Sequence, residues 1–254
     1  MKSFALFCFL LLISVKASQA QDKPIRNLTF ETGADFIICE SPDGKDYIRA
    51  DIVHYNYYEK ASYILALLYK NYYGLKYEYG LLNNKLSILS GLRYTRSEAS
   101  IGKNTYWSSK SKYFYFFLDN EETTKDFLRV ESISQISHYL GIPVEVRIYP
   151  YRERKIQIYY KIGMDFNLII SERSKVLFYE STMNKYEDNV TDIIEDPWRI
   201  FATAGLAVGL KIGNTGKPGI NIEACFPSGI IHAGNSLVDP EYGCGLQLNF
   251  RFPL

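Results

Sequence analysis

The sequence predicts an all-β chain, an eight-stranded antiparallel up-and-down transmembrane β-barrel. Three observations predict it: long runs with an apolar side chain at every second position, charged residues and glycines in the positions between, and connections that alternate between tight turns and long loops. The longest run is "KIQIYYKIGMDFNLII". Steps of two residues would scatter Ile156, Ile158, Tyr160, Ile162, Met164, Phe166, Leu168 and Ile170 around a helix, whereas a strand places them all on one face.

The same alternation recurs along the chain. It sets Leu28, Phe30, Ala34, Phe36 and Ile38 against Glu31, Gly33 and Asp35, and Tyr73, Leu75, Tyr77, Tyr79 and Leu81 against Gly74, Lys76, Glu78 and Gly80. Leu86, Ile88, Leu92 and Tyr94 oppose Ser87, Gly91, Arg93 and Thr95, and Leu140, Ile142, Val144, Val146 and Ile148 oppose Gly141, Glu145 and Arg147. Further on, Ile200, Ala202, Ala204, Leu206, Val208, Leu210 and Ile212 face away from Thr203, Gly205, Gly209 and Lys211. Ile220, Ile222, Ala224 and Phe226 face away from Asn221 and Glu223. The last run sets Leu246, Leu248, Phe250 and Phe252 against Gly243, Gly245, Gln247, Asn249 and Arg251.

Short connections fall at Asn83-Asn84, at "YPYRER" near 150–154 and at "NTGKP", 214–218; long ones span roughly 40–70, 98–135, 172–197 and 233–241. Hairpins need only two to five linking residues, and Asn, Gly and Pro mark the short turns. Turns gather on one rim and loops on the other, with no second domain.

A lipocalin-like barrel would bury the apolar set and wet the charged one, while an outer-membrane barrel does the reverse. Runs of up to ~16 residues at ~3.3 Å each exceed ordinary globular strands and suit a tilted membrane crossing. The charged face is rich in glycine, which fits a narrow interior packed with long side chains better than a solvated exterior. Aromatic residues near strand ends (Tyr94, Tyr160, Trp198, Phe250 and Phe252) suit interface girdles, as does a composition of 22 Tyr and 15 Phe. These features favour the membrane barrel.

On that reading the interior carries Lys76, Arg93, Arg147, Lys161, Lys211 and Arg251 facing Glu31, Asp35, Glu78, Glu145, Asp165 and Glu223. The mixture suits an interlocked salt-bridge filling better than a conduction path, because eight strands leave room only for side chains. Leu89, Ile169 and Ile37 break the pattern by falling on the inward parity, and Pro143 and Pro227 predict local bulges.

The opening "MKSFALFCFLLLISVKASQA" has a Lys near its start, an apolar core, and Ser18 and Ala20 before a cut at Gln21. It divides the chain into a signal peptide, 1–20, and a barrel domain, 21–254. The apolar stretch is shorter than the ~20 residues of a spanning helix. Net charge is +1, giving no hint of a nucleic-acid partner. Cys39, Cys225 and Cys244 remain after cleavage, with no metal-type spacing, and Cys39–Cys244 is a candidate bridge if the first and last strands are neighbours.

The signal, the strand "YLGIPVEVRIYP" followed by a tight turn and "YYKIGMDFNLII", and the closing "GLQLNFRFPL" resemble the outer-membrane β-barrel proteins of Gram-negative bacteria, in the broad PorT-like branch. The resemblance covers nearly the whole mature chain. It implies residence in the cell outer membrane, contact with outer-membrane lipid and lipopolysaccharide, and a C-terminal strand read by the barrel-assembly machinery. Phe250 and Phe252 match that strand, although the chain ends in Pro253-Leu254 rather than an aromatic.

Some small barrels of this kind look like enzymes acting on lipid A, with Ser and His near the outer rim. Ser228 and His232 share a parity but stand ~13 Å apart along a strand, too far for a nucleophile and its base. His138 reads as inward, and with His54 and His232 it completes the histidines; no G-x-S-x-G occurs. No catalytic residue is therefore assigned. Glu187, Asp188, Asp192, Glu195 and Asp196 lack calcium-loop spacing and read as a solvated loop, so no metal or cofactor is expected. Asn27 and Asn189 match glycan acceptors, which carry little weight in bacteria.

Tyr106, Trp107, Tyr113, Phe114, Tyr115, Phe116 and Phe117 lie among lysines in a long loop and are candidates for a surface that binds an envelope protein, a glycan or lipopolysaccharide. The competing reading makes 113–117 an extension of a strand above the membrane. The expected function is a non-enzymatic outer-membrane barrel whose long loops bind, adhere or scaffold an envelope or secretion complex. A small-solute channel and an outer-leaflet lipid-modifying enzyme stand as alternatives.

Overall fold

The computed structural model describes residues 24–40, 47–49, 52–55, 58–61, 64–102, 112–118, 127–150, 155–194, 199–214, 216–231 and 237–254. The expected signal peptide, Tyr106, Trp107, Glu195, Asp196, Trp198 and His232 lie outside them.

Among the described residues twelve strands follow in chain order: β1 (Arg26–Cys39), β2 (Ile48–Arg49), β3 (Ile52–Tyr55), β4 (Tyr58–Ala61), β5 (Leu65–Leu81), β6 (Leu86–Gly102), β7 (Phe114–Phe117), β8 (Phe127–Ile148), β9 (Ile156–Phe178), β10 (Ile200–Ile212), β11 (Gly219–Ile231) and β12 (Pro240–Pro253). Eight of them form a ring. Each long strand pairs antiparallel with the long strands before and after it, β8 pairs with β9, and β12 closes onto β1. Closure matters because a strand edge in hydrocarbon would leave N–H and C=O groups unpaired, at several kcal/mol each. Among the described residues no helix is long and apolar enough to cross a membrane.

The two faces separate by chemistry. Leu75, Leu92, Ile142, Ile162, Phe166, Leu206, Leu246 and Phe250 point outward and stay exposed in the isolated chain, while Lys76, Arg93, Glu145, Arg147, Lys161 and Glu223 point inward and are buried. A charge on the outer face would cost ~2–4 kcal/mol at mid-membrane. The fold is an all-β antiparallel membrane barrel. The β5–β6 turn places Leu82, Asn83 and Asn84 in the left-handed region, at φ 51°, 54° and 60°. Two asparagines suit that backbone, and Asn84 Oδ1 also accepts a hydrogen bond from the Ile25 N–H at 3.4 Å.

β8 and β9 run to 22 and 23 residues, against 13 or 14 for β1, β10, β11 and β12. Parts of the segments 98–135 and 172–197, expected as loops, are therefore strand. The physical reason is an inversion of the pattern. Above a register shift at His138/Tyr139, opposite Ile169–Ser171, Ile133, Val176 and Phe178 turn inward and are buried, while Arg173 and Lys175 turn outward. A search for outward apolar positions ends where the lipid belt ends.

This extension is joined by β7, which pairs with the top of β8, and by β2, which pairs with β7. A 3-10 turn (Ser181–Tyr186) and a seven-residue helix (Glu187–Ile193) follow β9. Val190 and Ile194 are buried with Ile37, Cys39, Ile48, Leu68, Ile101, Phe114, Phe116, Leu237 and Val238 in one apolar core that fills the outer mouth.

The prolines behave differently from each other. The β10–β11 register shifts between Gly229 and Pro227, giving the expected bulge. At Pro143 the β6–β8 ladder opens between Ser90/Val144 and Arg93/Gly141 yet resumes in the same register, so no bulge forms there. Cys39 and Cys244 do not bridge. Both are free, and Cys39 is buried inside while Cys244 is exposed on the opposite face. Neighbouring strands were correctly expected, but the odd spacing of Cys39 from Phe36, the partner of Cys244, turns the two thiols apart.

Two inward glycines each face a tyrosine across the ladder, Gly33 opposite Tyr72 and Gly209 opposite Tyr159. A Cβ at either position would fall within the ring. Gly209→Leu is expected to displace Tyr159 and abolish the compact, heat-modifiable form on a gel, while Ile158→Leu on the outer face leaves that form intact.

Candidate functional site

The interior is layered. At the lower level, near the short turns, six strands (β1, β5, β6, β8, β9 and β11) contribute a continuous set of ion pairs. Lys76 Nζ lies 2.6 Å from Glu31 and 2.7 Å from Glu145. Arg93 grips Glu31 with two parallel bonds, Nε–Oε1 at 2.7 Å and Nη2–Oε2 at 2.8 Å, and also reaches Glu145 at 2.9 Å and Asp165 at 2.5 Å. Lys161 pairs with Glu223 and lies 3.5 Å from Glu145. Arg147 pairs with Glu223 at 2.7 Å and lies 3.8 Å from Glu78.

Neutral groups complete the lattice. Tyr159 donates to Glu223 at 2.6 Å, Gln247 donates to Glu31 at 2.9 Å, and Asn27 donates to Glu78 at 3.0 Å. Arg93 and Arg147 stack above the Tyr72 and Tyr159 rings, at 4.8 and 5.2 Å. Each carboxylate here meets at least one cation, the condition under which buried charge is tolerated.

Of the interior residues expected from sequence, Asp35, Lys211 and Arg251 lie outside these pairs. Lys211 sits 5.4 Å above the Tyr149 ring. Arg251 is buried lower down, with Nε and Nη2 lacking hydrogen-bond partners among the described residues. Asp35 lies higher and accepts from the Tyr72 hydroxyl at 3.5 Å. Lys70, which the sequence reading assigned to a loop, joins it on β5 directly opposite. These two groups border a cavity of about 140 Å³ between the ion pairs below and the apolar core above.

The candidate surface residues divide. Phe114 and Phe116 are 2% and 0% exposed and belong to the core of the outer mouth, a correction to their expected role as surface contacts. Strand alternation is the reason: with Phe114 and Phe116 inward, Tyr113, Tyr115 and Phe117 take the outer face. There Tyr113 packs 5.4 Å from Tyr115 and 5.0 Å from Tyr179, and Tyr115 lies 5.3 Å from Phe127. Arg129 sits 5.2 Å above Tyr113 and bonds Glu180 at 3.0 Å; Arg49 sits 5.4 Å above Phe117. Tyr179, Phe127, Arg49 and Arg129 had no place in the sequence reading, because their juxtaposition depends on β2–β7–β8 pairing.

His138 faces outward, a correction to its expected inward placement. Its Nδ1 meets the Tyr94 hydroxyl at 2.6 Å, with the rings stacked 5.9 Å apart. Of the acidic segment, Glu187, Asp188 and Asp192 lie on the short helix, where Glu187 accepts from the Val176 N–H at 3.4 Å. No cluster suited to a metal ion occurs among the described residues.

A closed antiparallel ring with an apolar exterior and an ionised interior defines an integral outer-membrane β-barrel. No family model matches the chain, and no curated relative does. Among solved structures, it is similar to the outer membrane protein OprG from Pseudomonas aeruginosa, at 10% identity over 89% of this chain and 95% of that one, with a TM-score of 0.43. It is also similar to the N-terminal β-barrel domain of Pseudomonas aeruginosa OprF, at 9% identity over 91% and 100%, TM-score 0.32. The outer membrane protease OmpT from Escherichia coli aligns at 10% identity over 91% and 96%, TM-score 0.35.

Glu145 holds Lys76, Arg93 and Lys161 together, so Glu145→Leu is expected to destabilise the barrel by about 3–5 kcal/mol in urea unfolding from lipid vesicles. Glu98→Ala, which removes only a pair of half-exposed side chains with Arg96, is expected to cost about 0–1 kcal/mol in the same assay.

Proposed function

We propose that this chain is a non-conducting, non-enzymatic outer-membrane barrel of the PorT-like kind, whose outer extension docks an envelope protein for adhesion or scaffolding. The observation that carries the reading is the asymmetry of β7 and its surroundings. One face is welded into the apolar core by Phe114 and Phe116, and the other presents a continuous strip of Tyr113, Tyr115, Phe117, Phe127 and Tyr179 with Arg49 and Arg129. Tyr and Arg on a rigid, pre-formed support are the residue types that dominate protein–protein hot spots. Strand extension beyond the lipid belt serves such a platform and serves membrane crossing not at all.

A filled interior supports the absence of conduction. Lys76 and Arg147 are fully buried among their carboxylates, and the apolar core occupies the mouth above. The non-enzymatic reading rests on the sequence, in which Ser228 and His232 stand too far apart along a strand to act as a nucleophile and its base. Lipid and lipopolysaccharide surround the belt, and the C-terminal strand offers Phe250 and Phe252 to the assembly machinery.

In planar bilayers the purified barrel is expected to give no steady conductance, and a reproducible open pore refutes the non-conducting reading. A photo-crosslinking amino acid at Tyr115 in intact cells is expected to yield one discrete protein adduct. That adduct is expected to fall at least tenfold in a Tyr113→Ser, Tyr179→Ser variant that keeps its heat-modifiable fold. An adduct unchanged by those substitutions, or none at all, removes the docking reading.

A further inference from the structure

The ring is not laddered to the same height everywhere. Pairing between β11 and β12 ends at Cys225 opposite Gly245, although β11 continues to Ile231 and β12 begins at Pro240. Among the described residues, over those stretches β11 pairs only with β10 and β12 only with β1. The result is a seam in the wall. Tyr242, Leu246, Phe226 and Leu206 are exposed around it on the outer face, which sets the seam within the lipid belt rather than above it.

Directly behind the seam lies the cavity of about 140 Å³, and its lining includes Phe226 from one side of the seam and Pro240 and Glu241 from the other. Its volume approaches that of a cavity known to hold benzene, ~150 Å³. The inner wall is divided. Phe201 and Tyr139, edge to face at 4.9 Å, form an apolar part. Lys70 and Asp35 form a polar part, completed from below by Arg93, Glu145, Lys161 and Asp165 of the lattice; neither Lys70 nor Asp35 has an ion pair within 4.0 Å among the described residues, although each is the other's electrostatic neighbour. Below them each carboxylate of the lattice has closed onto a cation. An ammonium and a carboxylate held apart at the wall of one cavity offer a site to a group that carries both opposite charges.

We propose that this cavity binds the head group of a single-chain zwitterionic amphiphile, which enters sideways through the seam between β11 and β12. The head's anionic oxygen lies against Lys70 Nζ and its ammonium against Asp35, while the chain passes between Phe226 and Tyr242 into lipid. Backbone groups of the two strand edges that no ladder among the described residues engages gain a polar partner at the level of the head, which hydrocarbon alone would deny them. The site is separate from the docking strip, on another part of the wall, and stands or falls independently of it.

Native mass spectrometry of the full mature barrel, released from a nonionic detergent, tests this with lauryl phosphoethanolamine as the probe. One retained probe per barrel is expected. Lauryl phosphate and laurylamine, each carrying one of the two charges, are expected to bind at least tenfold more weakly, a comparison that needs no variant. Lys70→Met and Asp35→Asn are each expected to lower retention at least tenfold, and Thr203→Trp, which fills the cavity, to abolish it, all with the heat-modifiable fold kept. Equal retention of all three probes, or retention unaffected by Thr203→Trp, overturns the proposal.

Discussion

Hydrocarbon neither hydrates an ion nor satisfies a peptide group, and this constraint organises the molecule. It forces the strands into a closed ring, sends the charged side chains of the lattice inward, and leaves leucines, isoleucines and aromatics on the outside. Once the charges are inside a narrow barrel they need one another. The Glu31–Lys76–Glu145–Arg93 group, extended by Lys161, Glu223 and Arg147, is the consequence. Glycines at positions such as Gly33 and Gly209 then follow from the bulk of Tyr72 and Tyr159 across the ladder.

Above the belt the constraint reverses. Water now meets the outer face, so Arg129, Arg173 and Lys175 turn out, and the barrel wall folds an ordinary apolar core into its own mouth. The two interiors are held by different forces. Paired charges set the geometry of the lower part, while apolar burial, at roughly 25 cal/mol per Å², holds the upper one. Between them neither mechanism is complete, and the cavity with Asp35 and Lys70 occupies that boundary.

The outer extension draws its rigidity from the same core. β7 has only four residues and would not hold a shape alone; Phe114 and Phe116 beneath it and β8 beside it fix the orientation of Tyr113, Tyr115 and Phe117. Ordered aromatics lose little entropy when they bind, so a platform of this construction suits recognition.

Alternation by itself determined the strand count, the closed antiparallel ring, the outward face and the inward set of charges, because a period of two residues assigns each side chain to one of two solvents. It did not determine which charges would meet. Asp35 and Arg251 share the parity of Glu31, yet only Glu31 lies at the height of Lys76 and Arg93, and height depends on the register of all the strands together. The ends of β8 and β9 were also hidden, since the rule that identifies a lipid-facing strand inverts where lipid gives way to water. Cys39 and Cys244 were placed on adjacent strands by the sequence and on opposite faces by the register, and Lys70 passed from loop to cavity wall only once β5 was seen to extend past Tyr72. Pattern along a chain reports the medium around each residue; contact between residues far apart in sequence is decided by how the closed sheet is sheared and where its ladders stop.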